Sequence, residues 1–182
     1  MKLNIYSDNG SAITSVKEWR LLAPPMNPDL HWKDYHSAKE LAKSIFEYET
    51  LGPKISSILQ RFEFPIPNVL NGTTEHATTL PWGNSGERKH DLLLKDASSS
   101  LVIGIEAKAD EPFDKAVKVK RRDSQSNADG GKNMSARLDG IIDYLYEGNP
   151  PDNKEEIMYQ LISATAGTIL EASKNNIKHA CI

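Results

Sequence analysis

Cysteine is nearly missing from this sequence: Cys181 is the only one in 182 residues. A lone thiol excludes an internal disulfide framework and a cysteine zinc knuckle, and it fits a reducing cytoplasm. Long apolar runs are missing too. Nothing approaches the roughly 20 residues that span a bilayer, so no membrane partner is expected. The start, MKLNIYSDNG, lacks a basic stretch followed by an apolar core, so no secretory signal is expected. A positive excess is also absent. With 22 Lys and Arg against 25 Asp and Glu the net charge is −3, which argues against a surface that clings to nucleic acid everywhere but leaves room for a local basic groove. His31, His36, His76, His90 and His179 show no paired metal-ligand spacing, and no Walker loop, Rossmann glycine pattern or nucleophile elbow is present.

What is present is a chain with 38% apolar and 26% charged residues, enough for one domain with a core. Residues 1–36 read as an irregular extension, because Pro24, Pro25 and Pro28 forbid a continuous helix; Trp32 and Tyr35 are expected to pack on the elements after them. A helix is predicted from Ser37, where Ser37 and Glu40 match a capping box and Ala38, Leu41, Ala42, Ile45, Phe46 and Glu49 form a stripe. A second helix is predicted over 53–62, with Ile55, Ile58, Leu59 and Phe62 inward. Short, weakly signalled strands are expected near 68–70 and 77–82. The run 115–122 holds five basic residues, and DSQSNADGGKN after it reads as a mobile loop, together a basic insertion at about 115–135. Helices are predicted over 136–146 and about 154–173. On the second, Ile157, Met158, Leu161, Thr165, Thr168, Ile169 and Ala172 form the expected core stripe. Gln160, Ala164 and Gly167 line up beside it as if another backbone passed close. A final strand begins at 177. The order predicts an α/β (α+β) fold, a mixed β-sheet flanked by helices.

The centre of the chain is HDLLLKDASSSLVIGIEAK, residues 90–108, which reads as strand, turn, strand. Side chains alternate along a strand. Leu101, Ile103, Ile105, Ala107 and Ala109 therefore share one face, and Val102, Gly104, Glu106 and Lys108 the other. If the two strands pair, Asp91 comes near Glu106. Two carboxylates this close repel unless a cation resolves the conflict. Mg²⁺ prefers hard oxygen ligands and takes one or two carboxylates with waters for the rest. Asp91, Glu106 and the carbonyl of Ala107 could supply that half-shell, with Mn²⁺ able to substitute, and Lys108 would orient or help deprotonate the attacking water.

Asp91 followed by Glu106-Ala107-Lys108 at the end of an apolar strand resembles the PD-(D/E)xK nuclease superfamily, over roughly residues 37–182. His90 stands where that motif has proline. The resemblance implies a restriction-endonuclease-like core of helix, three-stranded antiparallel unit, helix and strand. It also implies an Mg²⁺-dependent nuclease whose Asp91 and Glu106 bind metal and whose Lys108 assists phosphodiester hydrolysis. Gln160 resembles the glutamine such enzymes carry on the helix after the lysine strand. Glu40 and Glu49 are further candidates for an acid on the first helix. The chain is also similar to uncharacterised bacterial proteins sharing its SAKELA-type and YQL-type helices, Ser37–Ala42 and Tyr159–Leu161. Two functions emerge as expectations: a nuclease acting on DNA more than RNA, or a nuclease-like fold kept as a binding or assembly module without catalysis. In either, Lys115, Lys118, Lys120, Arg121 and Arg122 could contact phosphates. A homodimer is compatible with both.

Overall fold

Three antiparallel strands form the spine of the molecule, which a computed structural model describes over residues 1–84, 86–110, 112–125 and 130–182. They are β3 (Val69–Leu80), β4 (Gly86–Asp96) and β5 (Leu101–Ile105). The two weak strand signals around Asn71-Gly72 are thus one long strand, its threonines pairing with β4 along most of its length. Asp96 closes the β4–β5 turn by accepting the Ser100 and Leu101 N–H groups at 2.6 and 2.8 Å.

Residues 1–36 are not irregular. They contribute β1 (Lys2–Tyr6), β2 (Ala12–Ile13), α1 (Val16–Leu22) and α2 (Pro28–His31). β1 runs parallel to β3, and β6 (His179–Cys181) parallel to β5, so among the described residues the mixed sheet has six strands in the order β2-β1-β3-β4-β5-β6. One layer of helices, α1, α3 (Ser37–Phe46) and α4 (Leu51–Arg61), covers Ile5, Leu70, Leu92, Leu94, Leu101 and Ile103. Trp32 joins this core, whereas Tyr35, Ile58 and Phe62 are exposed rather than inward. The expected capping box does not form: His36, not Ser37, is the N-cap and makes no side-chain capping bond, and Glu40 instead accepts the Tyr35 N–H at 3.1 Å.

α6 (Gly130–Tyr146) and α7 (Tyr159–Lys174) cover the other face, after α5 (Val117–Gln125). The expected mobile loop is therefore helical at both ends, and its residues 126–129 lie outside the described ones. The buried side of α7 is turned from the expected stripe: Leu161 and Met158 are exposed, and the small line Ala164 and Gly167 meets the sheet together with Thr168 and Glu171. The small residues explain the rotation, because they let the helix axis come close to β4 and β5. A Cβ on Gly167 would stand 3.0 Å from His90 Nε2.

β3 and β4 change face at the same rung. In β3, Leu70 and Gly72 pack with the α3–α4 layer, but Thr78 and Leu80, also even-numbered, meet α7 and the α6–α7 core. In β4, Leu92 and Leu94 lie in the first core while His90 and Arg88 lie against Gly167 of α7. The pairing offset is the same at Thr74↔Leu92 and at His76↔His90, but the ladder skips the rung between them, where Glu75 and Asp91 fall opposite each other at the switch. Glu75 takes a positive φ of 51°, a local kink of the kind that re-aims side chains in a strand.

Candidate active site

Strand alternation along β5 holds as expected. Leu101, Ile103 and Ile105 pack with the α3–α4 layer, while Val102 and Gly104 face α7. Glu106 follows on that second side, where Gln160 at the first turn of α7 donates to its Oε2 at 2.9 Å. Gln160 Oε1 in turn accepts the Asp114 N–H at 3.5 Å, which ties the segment after β5 to the same helix end. Across the strand pair, Asp91 Oδ2 accepts the Ala107 N–H at 2.7 Å. Asp91, Glu106 and Gln160 therefore meet at the end of β5, as the sequence suggests. Ala107 is expected to offer its carbonyl; its N–H is what engages Asp91.

Two residues that the motif does not contain also belong here. Arg88, two residues before His90 on β4, forms an ion pair with Glu106 Oε1, and both side chains are nearly buried, 9% and 7% exposed. Glu75, opposite Asp91, is the second. Burial pushes its carboxyl up to about 7; the charges of Asp91 and Glu106 add to the rise, and Lys89 opposes it. Burial likewise raises Glu106, against the nearby Arg88 charge, with Asp91 adding to the rise and Gln160 opposing it. The period-two pattern gives no hint of either residue, because both owe their position to the face switch at the 75/91 rung.

Lys108 is half-buried two residues beyond Glu106 and stands outside the Arg88–Glu106–Gln160 network. Two residues later the Asp110 N–H donates to the carbonyl of Tyr35 at 3.2 Å, and Tyr35 is the residue whose N–H Glu40 accepts. The start of α3 thus borders the exit of β5. Glu40 is engaged there with Lys43 at 3.0 Å. Glu49 falls past the end of α3, with φ 50°, and is no longer on the helix stripe.

Beneath α7 the buried His90 is held neutral: burial lowers it to about 3, with the charges of Arg88 and His76 adding to the effect. Beyond it Glu171, 1% exposed, gathers His76, Lys95 and Asn175 at 3.3 Å each and Thr78 at 3.2 Å. The hydrogen bond from His76 leads in drawing this carboxylate down to about 2.

The basic run is neutralised within the fold. Lys115 pairs with Asp123 at 2.6 Å, Lys118 with Glu156 at 2.6 Å, and Lys120 with Asp114 at 2.7 Å. Arg121 bridges Asp139 and Glu155 at 2.8 and 3.3 Å, and Arg122 lies 3.6 Å from Asp123. Such half-exposed pairs are weak enough for phosphates to compete with them.

Among the described residues no group of three or more His, Cys, Asp or Glu side chains is placed to hold a metal ion. What the chain offers a hard divalent cation is the two-carboxylate set Asp91 and Glu106, which suffices for Mg²⁺ when waters complete the shell. A cation at Glu106 Oε1 would take the place that the Arg88 guanidinium holds.

No helix of the described residues is long and apolar enough to cross a membrane. No curated protein and no solved structure matches the chain. Residues 12–182 match the family described as Domain of unknown function (DUF6946), and the chain belongs to that family.

Proposed function

We propose that the chain is an Mg²⁺-dependent phosphodiesterase acting on nucleic acid, DNA in preference to RNA. The observation that carries this reading is the meeting of Asp91, through the Ala107 N–H, with Glu106 and with Gln160 of α7 at the end of β5. The order of elements supports it. A helix, α4, precedes the antiparallel β3–β4–β5 unit, and α7 leads into β6 parallel to β5, the arrangement that the PD-(D/E)xK resemblance implies.

Asp91 and Glu106 would hold the cation. When bound, it supplies an acidified water and neutralises charge developing on the phosphate. Gln160 fixes the rotamer of Glu106 through Oε2, leaving the carboxylate little freedom. Ala107 does the same for Asp91. Lys108, with no partner in this network, is the amine available to orient the attacking water or steady the crowded phosphate. Arg88 and Glu106 are nearly buried, so the substrate would reach them from the exposed end of the segment after β5, past Lys108 and Asp110. Cutting both strands of a duplex would call for two copies of the chain.

Supercoiled plasmid incubated with the protein and Mg²⁺ is expected to be nicked, with EDTA abolishing the reaction and Lys108→Ala slowing it about 100-fold or more. Equal nicking by wild type and Lys108→Ala would overturn the reading. A second reading, a nuclease-like fold that binds without cutting, is favoured by the buried Arg88–Glu106 pair. It expects no nicking by any variant and DNA binding that survives Glu106→Ala.

A further inference from the structure

The Arg88–Glu106 pair has no place in the motif. Its guanidinium occupies Oε1, Gln160 occupies Oε2, and the Ala107 N–H occupies one oxygen of Asp91. The room left to an incoming cation on Glu106 is therefore decided by Arg88. The arginine is not free to swing within the fold. It lies between β4 and α7, where a Cβ on Gly167 would sit 3.2 Å from its Cδ, and only 9% of its side chain is exposed. Beneath it stands the buried His90, and the carboxylate beyond, Glu171, is already held by His76, Lys95, Thr78 and Asn175. A displaced Arg88 must find its new partner on the open side, among anions that bind the protein.

We infer that Arg88 is the cation competitor of this site: its guanidinium and a divalent metal ion contend for Glu106 Oε1, and a phosphodiester that takes up Arg88 hands the carboxylate to the metal. This rests on the proposed phosphodiesterase reading and adds to it a positioning residue that couples metal affinity to substrate. Two cations cannot share one carboxylate oxygen without mutual repulsion in a buried setting. An arginine fork suits a phosphate as well as it suits a carboxylate, since both present paired oxygens. The metal site is therefore weak in the free protein and strengthens when nucleic acid is present.

The test is Mn²⁺ titration, read by electron paramagnetic resonance of the free ion, on wild type, Arg88→Met, Glu106→Gln and the double variant. Arg88→Met is expected to bind Mn²⁺ at least about 10-fold tighter than wild type, and Glu106→Gln to remove that binding in both backgrounds. A thymidine dinucleotide is expected to tighten Mn²⁺ binding to wild type but not to Arg88→Met. Should Arg88→Met not fold, wild type itself carries the test: the ¹⁵Nε signal of Arg88, identified by its loss in Arg88→Lys, is expected to exchange with solvent at least about 10-fold faster at saturating Mg²⁺. A Glu106-dependent Mn²⁺ site of unchanged affinity in Arg88→Met, or Mg²⁺ binding that leaves the Arg88 signal unmoved, overturns the competition while leaving the phosphodiesterase reading intact. Absence of any Glu106-dependent Mn²⁺ binding in both proteins overturns the two together.

Discussion

At the scale of single residues, two carboxylates buried beside the sheet have opposite fates. Glu106 is raised by burial, while Glu171 is drawn down to about 2 by His76, with Lys95 helping. A group whose folded value lies below its unfolded one stabilises the protein above the unfolded value and loses that contribution as pH falls. For Glu171 the window runs from its ordinary 4.5 down to about 2. Glu171→Gln is therefore expected to cost about 3 kcal/mol at pH 7, with the gap to wild type closing at pH values near 2. Urea unfolding at pH 7 and pH 3 checks this, and a gap that does not shrink on acidification would mean that packing, not charge, sets the loss. Glu171 was not legible in the sequence, where Thr168 and Ala172 carry the expected stripe and position 171 falls outside it. Glu106 was legible from strand alternation and Asp91 from the expected pairing of the two strands, whereas Gln160 was singled out by the resemblance. Arg88 and Glu75 were not, since a face switch that keeps the same pairing offset leaves no trace in the hydrophobic pattern.

At the scale of elements, the site depends on how closely α7 rides over β5. Gly104 is the contact. A Cβ there would overlap Thr168 Oγ1, which donates to the Ala164 carbonyl within α7, and would also come within 3.4 Å of His90 Nδ1. Gly104→Ala must lift the helix or bend the strand, at about 1–3 kcal/mol. Lifting α7 also withdraws Gln160 from Glu106. Thr168→Ala in the same chain removes the obstructing oxygen, so the two substitutions are expected to be less damaging together than their sum. Thermal melts of both single variants and the pair measure this; strict additivity would show that Gly104 serves β5 alone. The Gln160–Ala164–Gly167 line foretold the close approach, yet the helix turns further than its apolar stripe suggests. Burying Glu171 against β3 and β4 outweighs burying Leu161, since four side chains satisfy the carboxylate while Leu161 stays on a half-exposed flank.

At the scale of the whole molecule, the family match and the sheet do not share a boundary. The match begins at residue 12, yet β1 occupies Lys2–Tyr6 and pairs with β3 from Lys2↔Val69 to Tyr6↔Thr73. Ile5 sits 3% exposed in the core beside Leu92 and Leu94, opposite Gly72, whose missing side chain makes the room. The prolines near residue 25 hid this strand, because they argue against helix and say nothing about a short strand upstream. β1 also covers the outer side of β3. Without it, the strand that carries the Glu75 kink becomes a bare edge, with unpaired N–H and C=O groups ready to recruit another chain. The protein shortened to residues 12–182 is therefore expected to melt at least about 5 °C lower, from the loss of Ile5 alone, and to self-associate with rising concentration. Calorimetry and sedimentation of the two lengths decide it. If the shortened protein matches the full chain in melting temperature and stays monomeric wherever the full chain does, β1 is an accessory strand and the rung at Glu75 and Asp91 is held by β4 and α7 without it.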